Sequence, residues 1–334
     1  MLARVPENGG GGAGVVGRRR DPAVASRGVI APLGAVRRSS VKGLPSRKRE
    51  SVYWMVMDPI SILWLFIILA SLQPVIQRRF LEASRKRALS RLASERGSTV
   101  ITLIHRQETM SFLGIPIVRY INIDDSEGVL SAIRATSSGT PIDIVLHTPG
   151  GLVLAASQIT SALAEHDGPV RAIVPHYAMS GGTLIALGAD EINVDAHAVL
   201  GPVDPQLGEY PAASIVTAAK QAKDPDDRTL ILADVGRKAI WQVERFVQEL
   251  LERYMKSAQA KEVARILSTG TWTHDHPLGL EELEALGFPV KVGVPRGVRE
   301  LMRLYPQPQG RQASVEYVPS PRQPREIPAN RPRD

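Results

Sequence analysis

The sequence predicts an α/β fold whose sheet is covered on both faces, and three observations carry that prediction. After Ser98, near-continuous apolar runs of strand length alternate with stretches of helical period. Twice a buried run breaks into a small-residue turn, as IVLHTPGG at 144–151 and as AIVPHYAMSGGT at 172–183. The chain of 334 residues is 43% hydrophobic and has no long compositional gap after position 98, so it holds one sizeable core with appendages.

In chain order, residues 1–50 carry GGGGAGVVG, RRR and RKR without a hydrophobic face, which reads as a disordered leader. The leader over 1–54 is expected to reflect a start codon placed too far upstream, with Met55 or Met57 the real beginning. Pro59–Ile76 gives eighteen consecutive uncharged residues, PISILWLFIILASLQPVI, long enough to cross a bilayer core, so 55–77 is expected to be a transmembrane helix. The stretch 78–97 carries seven basic and two acidic residues. Leu81, Ala88 and Leu92 fall there at helical spacing with Gly97 as a cap, which predicts a basic juxtamembrane helix beside anionic lipid and a cytoplasmic domain.

From 98 to 305 the expected strands are VITLIHR, YINI, IDIVLHT, VRAIVPH, EINV and AVLGPV. The expected helices are DSEGVLSAIRAT, GLVLAASQITSALAEH and GTLIALGA, followed by one long or two shorter helices over 238–267. Residues 306–334 hold seven prolines and no period, a disordered or extended tail.

Composition excludes some chemistry. There is no cysteine, so disulfides and thiolate metal sites are out, and the compartment stays open. The net charge of +7 lies in the leader, where residues 1–50 hold eleven Lys/Arg against three Asp/Glu. The rest of the chain has no basic footprint for nucleic acid.

The second turn places Ser180 between Met179 and two glycines, where a strand breaks into a helix. Glycine lets backbone N–H groups approach a ligand, and a helix start offers unpaired donors, so this is where an acyl-transfer nucleophile would sit. A plain helix N-cap is the alternative role for Ser180.

HTPGG followed by HYAMSGGTLIALGADEI resembles the serine dehydrogenase proteinase family. These are membrane-anchored Clp-fold serine proteinases related to signal peptide peptidase A. The likeness extends through GPVDPQLGEYPAAS at 201–214 and STGTWTHDHPLGLEELEALG at 268–287. It implies a Clp/crotonase-like fold of repeated ββα units with an N-terminal transmembrane helix, and a serine peptidase domain over 98–305. It further implies a polypeptide substrate, an acyl-enzyme intermediate, no cofactor and a homo-oligomer in the cell membrane.

The resemblance assigns the oxyanion hole to Gly181 with Gly150 or Gly151. A tight turn that merely needs positive φ is the other reading of those glycines. The Clp protease places its histidine base where this chain reads AVLGPVDPQ, with Asp204 and no histidine, so that triad does not carry over. In the Ser-Lys branch a lysine serves, and burial would lower its pKa. The resemblance to the stomatin-associated members places that lysine at Lys238, which also opens KAIW and so sits beside apolar residues, with Lys220 and then Lys223 as alternatives. His147, His176 and His197 are further candidates, each more often structural. Thr273-His274-Asp275-His276 looks like a metal cluster but lacks a third partner in register, and no metal is assigned. Two rival functions remain, a crotonase-type enzyme acting on coenzyme A thioesters and a non-catalytic membrane scaffold.

Overall fold

The computed structural model describes residues 59–106 and 119–305. The readings of the leader and of the proline-rich tail lie outside the described residues. In chain order the elements are α1 (Pro59–Arg96), β1 (Thr99–Ile104), α2 (Ile123–Ala135), β2 (Ile142–His147), α3 (Val153–Ala164) and β3 (Val170–Val174). Next come β4 (Tyr177–Ala178), α4 (Gly181–Leu187), β5 (Glu191–Val194), β6 (Val199–Leu200), β7 (Gln206–Leu207) and β8 (Tyr210–Pro211). The described chain closes with α5 (Ala212–Gln221), α6 (Asp227–Leu251), α7 (Ser257–Ser268), α8 (Leu280–Ala285), β9 (Val290–Val292) and α9 (Arg296–Arg303).

Five strands form one parallel sheet in the order β1-β2-β3-β5-β9. Parallel strands need crossovers, and the crossover helices cover one face of the sheet while α1 and α9 cover the other, which is why every residue of β2 is buried, Asp143 and His147 included. Side chains alternate across the sheet. Ile142, Ile144 and Leu146 of β2 join the larger core with α3, α4, α6 and α7. Val145 and Ile173 face the other way, onto Leu92 of α1 and Val298, Leu301 and Met302 of α9.

The apolar and the basic segment are joined in one unbroken helix, α1, of 38 residues with Pro74 inside it. Its apolar half is exposed, and by length and composition it is a candidate membrane span. Gly97, at φ 58°, ends it as a left-handed cap. The C-terminal half is fastened to the sheet. Leu92 is buried, and Arg85 donates to the Leu304 carbonyl at 2.8 Å while its guanidinium lies 4.1 Å from the Tyr305 ring centroid. Arg96 donates from Nε to Asp143 Oδ2 at 2.5 Å.

Asp143 is fully buried, and strand register brings Arg171 of β3 beside it. Arg171 Nε donates to Asp143 Oδ1 at 2.6 Å and Ser98 Oγ to Oδ2 at 2.6 Å. Burial alone would push this carboxyl up. The hydrogen bonds from Arg96, Arg171 and Ser98 outweigh burial and hold it below the ordinary carboxylate range.

One expected strand is absent. At YINI only Ile121 pairs, in a single bridge to Gly151, and α2 begins at Ile123. The Asn122 side chain accepts from the Asp125 N–H at 3.0 Å and Asp125 accepts from the Asn122 N–H at 2.9 Å. This capping box outweighs the β-preference of the isoleucines. The 238–267 stretch resolves into two helices, and the first begins earlier than expected, at Asp227, where the Asp226 side chain caps it through the Thr229 N–H at 2.7 Å.

Candidate active site

The two small-residue turns dock on each other. Thr148 donates its N–H to Tyr177 O at 3.3 Å, and Met179 donates to Thr148 O at 2.9 Å. Such close contact requires the glycines: a Cβ at Gly182 would stand 2.7 Å from Thr148 Cγ2, and one at Gly151 would stand 2.3 Å from both the nitrogen and the oxygen of Ile121.

Ser180 is the one non-glycine residue with positive φ among the described residues, at φ 50° and ψ −116°. A backbone in that region stores about 1–3 kcal/mol of strain, and such strain gathers at functional turns, as on the sharp strand-to-helix turn that exposes a nucleophilic serine. Ser180 occupies the N-cap position of α4, yet its side chain makes no capping bond. Its carbonyl instead accepts from Thr183 and Leu184 at 2.8 and 3.2 Å. The hydroxyl is thus left half-buried and uncommitted by the helix.

The glycine turn lies against it. A Cβ at Gly150 would come within 2.8 Å of Ser180 Cβ and 3.2 Å of the Gly181 nitrogen, and a Cβ at Gly181 would come within 3.5 Å of the Gly151 nitrogen. The Gly150 N–H is occupied, donating to Thr148 Oγ1 at 3.2 Å. Among the described residues the N–H groups of Gly151 and Gly181 have no acceptor; Gly181 is the first residue of α4, where a helix supplies none. A cavity of about 860 Å³ opens beside Gly151 and Leu152, lined also by His105, Tyr120, Asn122 and Asp125. A hydroxyl close to two N–H groups without acceptors is an arrangement that can carry acyl transfer.

The structure does not join the candidate bases to Ser180 by any hydrogen bond among the described residues. Lys238 lies on α6 with its side chain 70% exposed and its amine bonded to Asp234 Oδ2 at 2.5 Å. This corrects the apolar setting expected from Ala-Ile-Trp. Successive helical residues point 100° apart, so Trp241 faces solvent and the core side of α6 is made by Val243 and Val247 instead. Lys220, in the last turn of α5, and Lys223 are also exposed. His176 and His197 are exposed, whereas His147 is buried with its ring 4.4 Å from that of Tyr177. Burial, aided by the nearby Arg106 guanidinium, pushes His147 down to about 4.

One pair escapes the sequence reading. Asp204, buried and just beyond β6, bonds His274 Nδ1 at 2.8 Å, and Gln206 donates to its other oxygen at 2.7 Å. A lone Asp in the apolar run AVLGPVDP was the available signal, since a buried carboxylate demands a partner. His274 is therefore turned to Asp204, while His276 stacks on Trp272 with ring centroids 5.2 Å apart.

The fold and this turn define a serine hydrolase class. The family model described as ClpP-like SDH-type serine proteinase matches residues 53–330, and the chain belongs to that family. It is 52% identical over 273 residues to "Uncharacterized protein MJ0137" of Methanocaldococcus jannaschii, covering 79% of this chain and 96% of that one. Over 259 residues it is 52% identical to "Uncharacterized protein MJ1495" of the same organism, covering 77% and 89%. A shorter match, 35% identical over 95 residues, covers 28% of this chain and 20% of "Membrane protein NfeD1b" of Bacillus subtilis. Among solved structures, a mutant of the 1510-N membrane-bound stomatin-specific protease is similar at 20% identity and a TM-score of 0.38, covering 61% of this chain and 82% of that one.

Proposed function

We propose that this chain is a membrane-anchored endopeptidase that cleaves polypeptides through an acyl-enzyme on Ser180, with the peptidase domain spanning 98–305. The observation that carries the reading is the strained turn that leaves the Ser180 hydroxyl free of capping beside two unpaired N–H groups. In this mechanism Ser180 Oγ attacks the scissile carbonyl, its proton passes to a base, and the oxyanion is received by Gly151 and Gly181. Gly150 is the weaker donor candidate because its N–H is engaged by Thr148. The protonated amine leaves, and water then releases the acyl group.

Lys238 is the proposed base, forming a Ser-Lys dyad, with Lys220 the alternative. The Lys238 amine is exposed and engaged by Asp234, so the dyad needs that pair opened and the outer face of α6 covered. A second copy of the chain is the proposed cover, and the exposed Leu230, Ile231, Val235 and Trp241 on the same helix favour a homo-oligomer. The Asp204–His274 pair supports a second reading, in which His274 takes the proton and Asp204 orients it.

A fluorophosphonate probe tests the function, since a peptidase is modified at Ser180 whereas a thioester-binding crotonase or a silent scaffold is not. The same probe decides the base. With Lys238 as base, Lys238→Met and Lys238→Arg both abolish labelling in folded protein while Lys220→Met and His274→Gln stay near wild type. Loss in His274→Gln alone transfers the role to that pair, and loss in Lys220→Met alone transfers it to Lys220.

Membrane anchoring is supported by the exposed apolar half of α1 and by the match to a bacterial membrane protein. The chain is expected to resist carbonate extraction in a single-pass topology with the domain in the cytoplasm. Release by carbonate would overturn the span, and protease sensitivity of the domain in intact cells would overturn the orientation.

A further inference from the structure

The Gly150–Gly151 turn uses backbone conformations open to glycine, with φ 107° and 156°, and glycine peptides reorient at little cost. Something must select one orientation. In a trans peptide the C=O of one residue and the N–H of the next point in opposite directions, so whatever grips the Gly150 carbonyl also aims the Gly151 N–H. That carbonyl accepts from the Ile121 N–H at 2.8 Å, and Ile121 in turn accepts from Leu152 N–H at 2.8 Å. Thr148 Oγ1 holds the preceding peptide of the turn, accepting from the Gly150 N–H at 3.2 Å.

Thr148 is itself held. It is fully buried, and its Oγ1 lies 2.9 Å from Nδ1 of buried His105. The other ring nitrogen of His105 faces Asp125 Oδ2 at 3.3 Å. A carboxylate only accepts, so Asp125 fixes the proton on Nε2 and leaves Nδ1 as an acceptor for the Thr148 hydroxyl. With its proton committed to Nδ1, Oγ1 acts toward the turn only as an acceptor, taking the Gly150 N–H and fixing the Pro149–Gly150 peptide. Asp125 is fixed at the start of α2 by the Asn122 N–H at 2.9 Å. Burial holds His105 below the ordinary imidazole range, against the pull of Asp125, which keeps the ring neutral as this chain of bonds requires.

We propose that His105, acting through Thr148, is the positioning residue that anchors the Pro149–Gly150 peptide at the head of the glycine turn and so, together with the Ile121 N–H on the Gly150 carbonyl, holds the Gly151 N–H toward Ser180. This inference rests on the reading of Gly151 as an oxyanion donor. His105 touches neither Ser180 nor a reacting atom in this arrangement, so removing it should slow acylation and leave substrate binding alone.

The test uses the full chain in detergent, with a fluorophosphonate for acylation rate and labelled casein for kcat and KM. Asparagine reaches the position of Nδ1 but not that of Nε2, and glutamine the reverse. His105→Gln should therefore slow acylation and kcat by roughly 10- to 100-fold with KM within about twofold, and His105→Asn should recover to within about fivefold of wild type. Thr148→Val should behave like His105→Gln, and Thr148→Ser like wild type. If Thr148→Val fails to fold, the two His105 variants still decide. Wild-type rates in folded His105→Gln, or equal losses in His105→Gln and His105→Asn, would overturn the proposal while leaving Ser180 in place. Failure of the wild type to label at Ser180 would remove the parent reading and this one with it.

Discussion

Ser180→Ala is expected to lower casein cleavage by about a thousandfold or more while the domain stays folded, the loss typical of a removed nucleophile. The stability half of this expectation follows from the geometry. A capping serine changed to alanine would cost about 1 kcal/mol, but the Ser180 side chain caps nothing. Alanine keeps the Cβ and hence the strain. Glycine removes it, so Ser180→Gly should be equally inactive and more stable by about 1 kcal/mol, the strain relief of 1–3 kcal/mol exceeding the added entropy of the unfolded chain. Thermal unfolding of the three proteins checks the second half. An active Ser180→Ala, or one that melts well below wild type, would return Ser180 to a structural role.

The largest stability effect is expected at Asp143. Asp143→Ala leaves the guanidinium groups of Arg96 and Arg171, which are 23% and 27% exposed, without their shared carboxylate. Removing one partner from a buried ionic cluster costs about 3–5 kcal/mol, which is a large part of the roughly 5–15 kcal/mol that holds a domain together. A melting point lower by about 10 °C is the expected result. The same cluster gives a pH dependence of definite sign. The folded carboxyl lies below its unfolded value, so its contribution is present above the unfolded value near 4 and is lost as pH falls through the folded one. Asp143→Asn should flatten the acid limb of the stability profile. An unchanged limb would mean that the cluster does not govern acid unfolding.

The central strands were legible because both faces of the sheet are covered, which makes β2 and β3 apolar apart from Asp143, His147 and Arg171. The first turn and the Gly97 cap were legible because glycine favours their positive φ, and the second turn because Gly182 leaves no room for a Cβ against Thr148. At YINI the apolar signal misled, because Asn122 and Asp125 form a capping box that starts a helix there. The surroundings of Lys238 were misread by taking neighbours in sequence for neighbours in space. The Asp204–His274 bond joins positions 70 residues apart, and no local pattern announces such a contact. The positioning role of His105 was hidden in the same way, since Thr148 and Asp125 come to it from different elements.

The continuity of α1 has a consequence for what the peptidase can reach. A flexible stalk would let the domain sweep a wide volume around its anchor. Here the helix runs unbroken from the apolar stretch to its first grip on the domain, where Arg85 bonds Leu304. Ile76 to Arg85 spans about 14 Å of rise at 1.5 Å per residue. With the apolar half in a bilayer, that leaves the domain little clearance beyond the lipid headgroups and no slack with which to gain more. On the proposed anchoring, polypeptide segments lying close to the same membrane surface are the expected substrates, ahead of chains diffusing freely in solution.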